Sequence, residues 1–283
     1  MTLDRYVIKK ASREDVQTAV DWAAEEGWNP GLSDTDAYRC ADPDGFFMGR
    51  LDGEPVAVIS AVRYGRTFGF IGFYIVKPTY RNHGYGLRIW RAALDHLKGR
   101  NIGLDGVIAQ QENYKKFGFK LSYRNIRYEG ETGGASPDDP RLTTLLAVPF
   151  ETVASFDRAF FPEDRSEFVK SWIAQPGSIS LGIVKGETLE GYGVIRPCRN
   201  GNKIGPLFAV NPEAAEVLFL ALKSAAKTNQ PVYLDVPEPN RAAVSMAEHY
   251  KMKPTFETAR MYFGEAPNTP IDRIFGVTSF EIG

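Results

Sequence analysis

The chain has 283 residues, 43% of them hydrophobic and 24% charged, with a formal net charge of -1. That exceeds one ordinary domain of about 100 to 200 residues and has the composition of a globular protein with material for two cores. A charge so near neutral excludes the basic field of a nucleic-acid binder, and no apolar run reaches the roughly 18 residues that span a bilayer. Cys40 and Cys198 fall in different halves without CxxC or Cys/His spacing, so neither a disulfide nor a metal site is expected. The charged N-terminus lacks the apolar core of a secretion signal, which predicts a cytoplasmic location.

In chain order, residues 6–8 suit a strand. Ser12-Arg13-Glu14-Asp15 has the form of a capping box and opens a helix burying Val16, Ala19, Val20 and Ala23. A polar loop over 27–45 is longer than the roughly 12 to 15 residues of a plain connection. It offers Trp28, Tyr38, Phe46 and Phe47 as an apolar wall, with Asp34, Asp36, Asp42 and Asp44 to attract a cationic amine. Residues 46–51 and 55–62 read as a hairpin turning at Asp52-Gly53, and 68–76 as a third strand that must stop at Pro78. Past the glycines of Arg81-Asn82-His83-Gly84-Tyr85-Gly86, Leu87, Trp90, Leu94 and Leu97 recur at helical spacing opposite Arg88, Arg91, Asp95 and Lys98. A strand near 102–108, a short helix near 113–117 and a strand near 120–128 follow.

The run EGETGGASPDDPR between Tyr128 and Leu142 holds nothing apolar to bury. It predicts a domain over 1–130, a linker over 131–141 and a second domain over 142–283. The second half repeats the order of elements: helices near 152–159 and 163–175, a hairpin over 179–184 and 190–195, and a strand at 205–210. A helix at 212–227, a strand at 232–236, a helix at 241–250 and a strand near 256–263 complete it.

Chemistry is carried by the turn between the third strand and its helix. A helix start leaves backbone N–H groups unpaired and carries the positive end of the helix dipole, so it attracts phosphate. Gly84 and Gly86 leave room for close backbone approach, and Arg81 adds a charge. Strand, Pro, Arg-x-x-Gly-x-Gly, amphipathic helix, strand, then Asn113-Tyr114-Lys115-Lys116-Phe117-Gly118-Phe119: over residues 1–130 this resembles the GNAT superfamily of acyl-CoA-dependent N-acetyltransferases. The whole chain resembles a tandem type whose second domain is divergent.

The resemblance implies an α+β fold of two tandem GNAT-like domains, each a mixed, splayed sheet flanked by helices. It implies that Ile75 and Val76 pair by backbone with the pantetheine of acetyl-CoA, that Arg81, Asn82, His83, Gly84, Tyr85 and Gly86 hold the pyrophosphate, and that Asn113 adds a contact. Tyr114 would protonate the leaving thiolate. Gln110-Gln111-Glu112 departs from the family's Asn-x-x-Ala pattern. An amine must lose a proton to attack, yet no acidic residue lies between Ser60 and Val76. Asp105, odd inside an apolar strand, is the acidic residue nearest the expected cleft in chain order; it is a candidate base or a hydrogen-bonded structural aspartate. In the second half, Asn211-Pro212-Glu213 starts the corresponding helix without glycine and with a negative charge, which predicts no cofactor there. The expected activity is acetyl transfer from acetyl-CoA to a small-molecule amine. A non-catalytic acyl-CoA sensor and a protein lysine or N-terminal acetyltransferase are the alternatives.

Overall fold

The computed structural model describes residues 5–283; residues 1–4, part of the charged N-terminus, lie outside them. The first half contains β1 (Tyr6–Lys10), α1 (Arg13–Glu25), α2 (Asp34–Ala41), β2 (Phe46–Leu51), β3 (Glu54–Tyr64) and β4 (Phe68–Val76). It continues with α3 (Tyr85–His96), β5 (Asn101–Val107), α4 (Gln111–Lys116) and β6 (Lys120–Glu131). The second half contains β7 (Leu142–Thr144), α5 (Phe150–Asp157), α6 (Ser166–Ile173), β8 (Ile179–Lys185), β9 (Thr188–Pro197) and β10 (Asn202–Ala209). Then come α7 (Pro212–Ala225), β11 (Pro231–Pro237), α8 (Arg241–His249), β12 (Lys253–Phe263) and β13 (Ile274–Gly276).

Local chemistry explains most of these elements. Ser12 caps α1 in a complete capping box with Asp15, and Asn211 caps α7 through a bond from the Ala214 N–H. The apolar stripe of α3 buries Ile89, Trp90, Ala93 and Leu97 on the sheet. Each large side chain so buried stabilises the fold by roughly 1.5–3 kcal/mol. Leu87, at the right spacing for that stripe, is instead 41% exposed at the mouth of a cavity. The 27–45 stretch is not all loop: eight of its residues form α2.

The strands join in one sheet of order β1-β2-β3-β4-β5-β12-β6-β11-β10-β9-β8-β7, with β13 on β10. Pairing is antiparallel except between β4 and β5 and between β10 and β11. β6 does not close the half it belongs to. It lies between β12 and β11, while β12 from the second half lies against β5. Three buried ion pairs tie the halves together: Asp105 with Arg260, Asp235 with Arg127, and Asp34 with Arg196. Removing one partner of such a pair strands a buried charge, which costs about 3–5 kcal/mol.

Candidate active site

β4 starts between two strands and ends beside one. Its antiparallel pairing with β3 reaches Val76 opposite Ala57, but its parallel pairing with β5 stops at Ile71 opposite Leu104. The cause is a bulge: Phe73 has a φ of 46°, and the β3–β4 register shifts between Val58 and Ser60. Gly72 must be glycine there, because a Cβ would come 2.0 Å from the carbonyl oxygen of Glu281. The Lys77 N–H donates to the Val56 carbonyl, so by alternation the backbone of Ile75 also serves β3. Tyr74 and Val76 turn theirs into the wedge. Ile75, expected as a backbone contact, lines the wedge without offering those groups.

The wedge is a cavity of about 460 Å³ that runs from the start of α3 to the interior between the two halves. At its outer end Asn82 and Gly84 both have positive φ, 65° and 84°, which folds the backbone around the helix start. α3 has no side-chain cap, so its first N–H groups stay available. Gly86 lets α3 approach β4: a Cβ would meet the Tyr74 hydroxyl at 2.8 Å. These features fit a pyrophosphate cradle, as a helix start with open N–H groups and no side chain in the way. Arg81 stands at the rim, its Nε donating to the Val76 carbonyl at 2.8 Å and its guanidinium paired with Glu26.

Three residues expected at the cofactor are not part of the cavity lining. His83 donates from Nδ1 to the Arg81 carbonyl, 2.7 Å away, and stacks on Tyr85. Tyr85 packs against Tyr6, with ring centroids 4.8 Å apart. Asn113 is exposed and bonded to Gln110 and Lys116 along its own helix. His83 and Tyr85 are turned to partners beside the loop, and Asn113 to its own helix.

Tyr114 lies at the middle of the cavity, 8% exposed. Its ring lies so close to β5 that a Cβ on Gly106 would come 2.3 Å from Cε2, and its other neighbour is Trp90, with centroids 5.4 Å apart. Among the described residues its hydroxyl has no hydrogen-bond partner. Burial pushes its pKa up, with Tyr74 adding to the shift, so the phenol keeps its proton at neutral pH. A fixed, protonated and unsatisfied phenol is suited to donating a proton.

Asp105 also lines the cavity but is committed elsewhere. Arg260 holds both its oxygens, at 2.8 and 2.6 Å, and Asn125 donates to Oδ1 at 2.8 Å. Burial pushes the carboxyl up and Arg260 opposes the shift. A guanidinium across both oxygens fixes the carboxylate in place and engages it in a charge-assisted pair. Of the two readings of Asp105, the geometry fits the hydrogen-bonded structural aspartate, and its partner, Arg260, lies 155 residues away.

The aspartates of the 27–45 stretch do not reach the cavity lining either. Asp34 is buried with Arg196, Asp36 is paired with Arg13, Asp44 with Lys10, and Asp42 accepts from the Arg63 N–H. None of them is placed to attract a cation into the cavity; only Trp28 of that stretch lines it.

The inner end is built from residues the sequence did not single out. β12 contributes Phe256 and Thr258, and the buried segment after β13 contributes Phe280 and Glu281. That segment is anchored to the first half. The Ser60 hydroxyl donates to the Glu281 carbonyl at 3.1 Å, and the Tyr64 hydroxyl to the Ile282 carbonyl at 2.8 Å. Among the described residues no group of three or more His, Cys, Asp or Glu side chains is placed to hold a metal ion.

Comparison with known proteins agrees with this geometry. A model of the acetyltransferase (GNAT) family matches residues 13–119, and a second acetyltransferase (GNAT) domain model matches 153–276. The chain is 32% identical to the holothin acyltransferase of a Pseudoalteromonas species over 275 residues, covering 97% of this chain and 94% of that one. A putative acetyltransferase from Pyrococcus horikoshii superposes with a TM-score of 0.84 at 24% identity, over 100% of this chain and 98% of the other. A tandem GNAT protein from the clavulanic acid biosynthesis pathway gives a TM-score of 0.60 at 12% identity, over 93% of this chain and all of its own. With a wedge, a glycine-lined helix start and a buried phenol in the first half, and a second domain model on the other, this chain belongs to the GNAT acyltransferases and is of their tandem type.

Proposed function

We propose that this enzyme transfers an acetyl group from acetyl-CoA to a primary amine on a small molecule. One observation carries the reading: a single cavity leads from an open helix start, past the free backbone edge of β4 and the unsatisfied Tyr114 hydroxyl, into a chamber walled by both halves. In this reading Arg81, Asn82 and the first N–H groups of α3 hold the pyrophosphate. The backbone of Tyr74 and the N–H of Val76 pair with the pantetheine amides, the Val76 carbonyl being held by Arg81. Tyr114 gives its proton to the departing thiolate. The cosubstrate supplies the thioester.

A chamber closed by Phe256 and Phe280 suits a small acceptor better than a protein chain, which needs an open cleft. The relative named for holothin supports the same direction. The test is to measure acetyl-CoA binding by calorimetry and free-thiol release with a panel of primary amines. The expected result is micromolar binding and thiol release with at least one small amine. Binding without turnover of any amine would leave only an acyl-CoA sensor.

A further inference from the structure

The reaction proposed above needs a group to take a proton from the attacking amine, and three carboxyls line the cavity: Glu26, Asp105 and Glu281. Glu26 is paired with Arg81 at the phosphate end. Asp105 has both oxygens held by Arg260. Glu281 differs. Its Oε2 accepts from the Ser279 hydroxyl at 2.6 Å and lies 3.2 Å from the Tyr38 hydroxyl, while among the described residues its Oε1 has no hydrogen-bond partner. The side chain is held from one oxygen and left open at the other, as a proton acceptor must be.

We propose that Glu281, from the segment after β13, is the proton acceptor of the acyl transfer, and that Trp28, Phe256 and Phe280 beside it receive the apolar, ring-bearing body of the acceptor amine. The inference rests on the functional reading above. Position supports it. Gly72 leaves room for the Glu281 backbone at the bulge of β4, and the Ser60 hydroxyl of neighbouring β3 holds the Glu281 carbonyl, so residue 281 is fixed beside the point where the wedge opens. The groups facing Glu281 from neighbouring elements are Tyr38 of α2, Arg127 of β6 and Lys203 of β10; Arg127 is itself paired with Asp235. Thr258, whose buried hydroxyl has no partner among the described residues, supplies a further polar contact to the acceptor.

The step balances. The amine nitrogen forms a bond to the thioester carbonyl carbon and its proton passes to Glu281 Oε1. The C–S bond breaks, the sulfur leaves with the proton of Tyr114, and water returns both groups to their starting states. The products are an N-acyl amine and a free thiol.

The experiment compares wild type, Glu281→Gln and Glu281→Asp with phenethylamine, tryptamine, spermidine and glucosamine as acceptors, reading thiol release and acetyl-CoA affinity. Glu281→Gln is expected to lower kcat about 100-fold with unchanged acetyl-CoA affinity. Glu281→Asp should keep more of the rate than Glu281→Gln, because a shorter carboxyl still takes a proton and an amide does not. A purely structural role gives the opposite order, since Gln matches Glu in size. Equal rates for Glu281→Gln and wild type, or Gln outperforming Asp, overturn the role of Glu281 while leaving the enzyme assignment standing. Preference for spermidine or glucosamine overturns the aromatic chamber. A wild type that binds acetyl-CoA and turns over none of the four overturns the functional reading and this inference with it.

Discussion

The two halves each split a parallel strand pair, and they use the split in opposite ways. In the first half β4 and β5 part after Ile71 and Leu104, and the wedge stays open as the cavity. In the second, β10 and β11 part after Ile204 and Leu234, and β13 fills the gap. Leu207 and Phe208 pair with Gly276 and Ile274, and the Val277 N–H donates to the Asp235 carbonyl at 2.8 Å. The helix starts differ in the same sense. α3 has an uncapped glycine start, whereas α7 has Asn211 as cap, Pro212 without an N–H, and Glu213 tied to Arg141. An unpaired strand edge beside an open helix start leaves backbone groups available to a ligand. The same architecture in the second half has those groups satisfied internally.

The comparison is sharpened most by exchanging the phenols. Tyr114 on α4 and Tyr250 just after α8 follow β5 and β11 respectively. Tyr114→Phe is expected to lower kcat about 100-fold with little change in acetyl-CoA affinity, the signature of a proton donor used at the transition state. Tyr250 donates to Glu216 at 2.5 Å, and burial together with that carboxylate pushes its pKa up to about 12. Tyr250→Phe should leave kcat unchanged. Steady-state rates for both variants, under conditions where chemistry limits turnover, decide it.

Next in size is Gly84→Val. A branched residue at a φ of 84° is strained by roughly 1–2 kcal/mol, and relief of that strain unfolds the cradle. Acetyl-CoA should bind about tenfold more weakly to a protein that melts normally. The space beside Gly84 is empty within 4 Å, so unchanged affinity would mean the backbone at residue 84 is not used by the cofactor.

The smallest effect is on the other helix start. Asn211→Ala removes a cap worth about 1 kcal/mol and should lower Tm by a few degrees, with no change in acetyl-CoA affinity. Titration of wild type and of this variant should each give one coenzyme A per chain. A second equivalent would show that β13 leaves the wedge.

Element order was legible because it depends on near neighbours. The capping box at Ser12, the stripe on α3, the hairpin at Asp52-Gly53 and the Asn211-Pro212 start each lie within a few residues, and all four stand in the structure. The polar run after Tyr128 was harder to read: β6 continues to Glu131 because β11 pairs with it there. α2 was hidden in a stretch read as loop. It is held by burial of Asp34 against Arg196 and of Tyr38 beside Trp172.

By itself, then, the sequence determined the kind of fold and pointed to the glycine turn before α3 and to Tyr114 as candidates, since each is encoded in local spacing and backbone freedom. Only the tertiary structure decided which residues complete the chamber. The partner of Asp105, the interleaving of β6 and β12, and the return of residues 277–283 to β3 all join positions more than a hundred residues apart. Residues 277–283 have no regular period to reveal them, because they are buried as an irregular strap and not as a helix or strand face. Contacts at that range are set by which buried polar groups find partners and which wedge is left unfilled, and no local pattern records either.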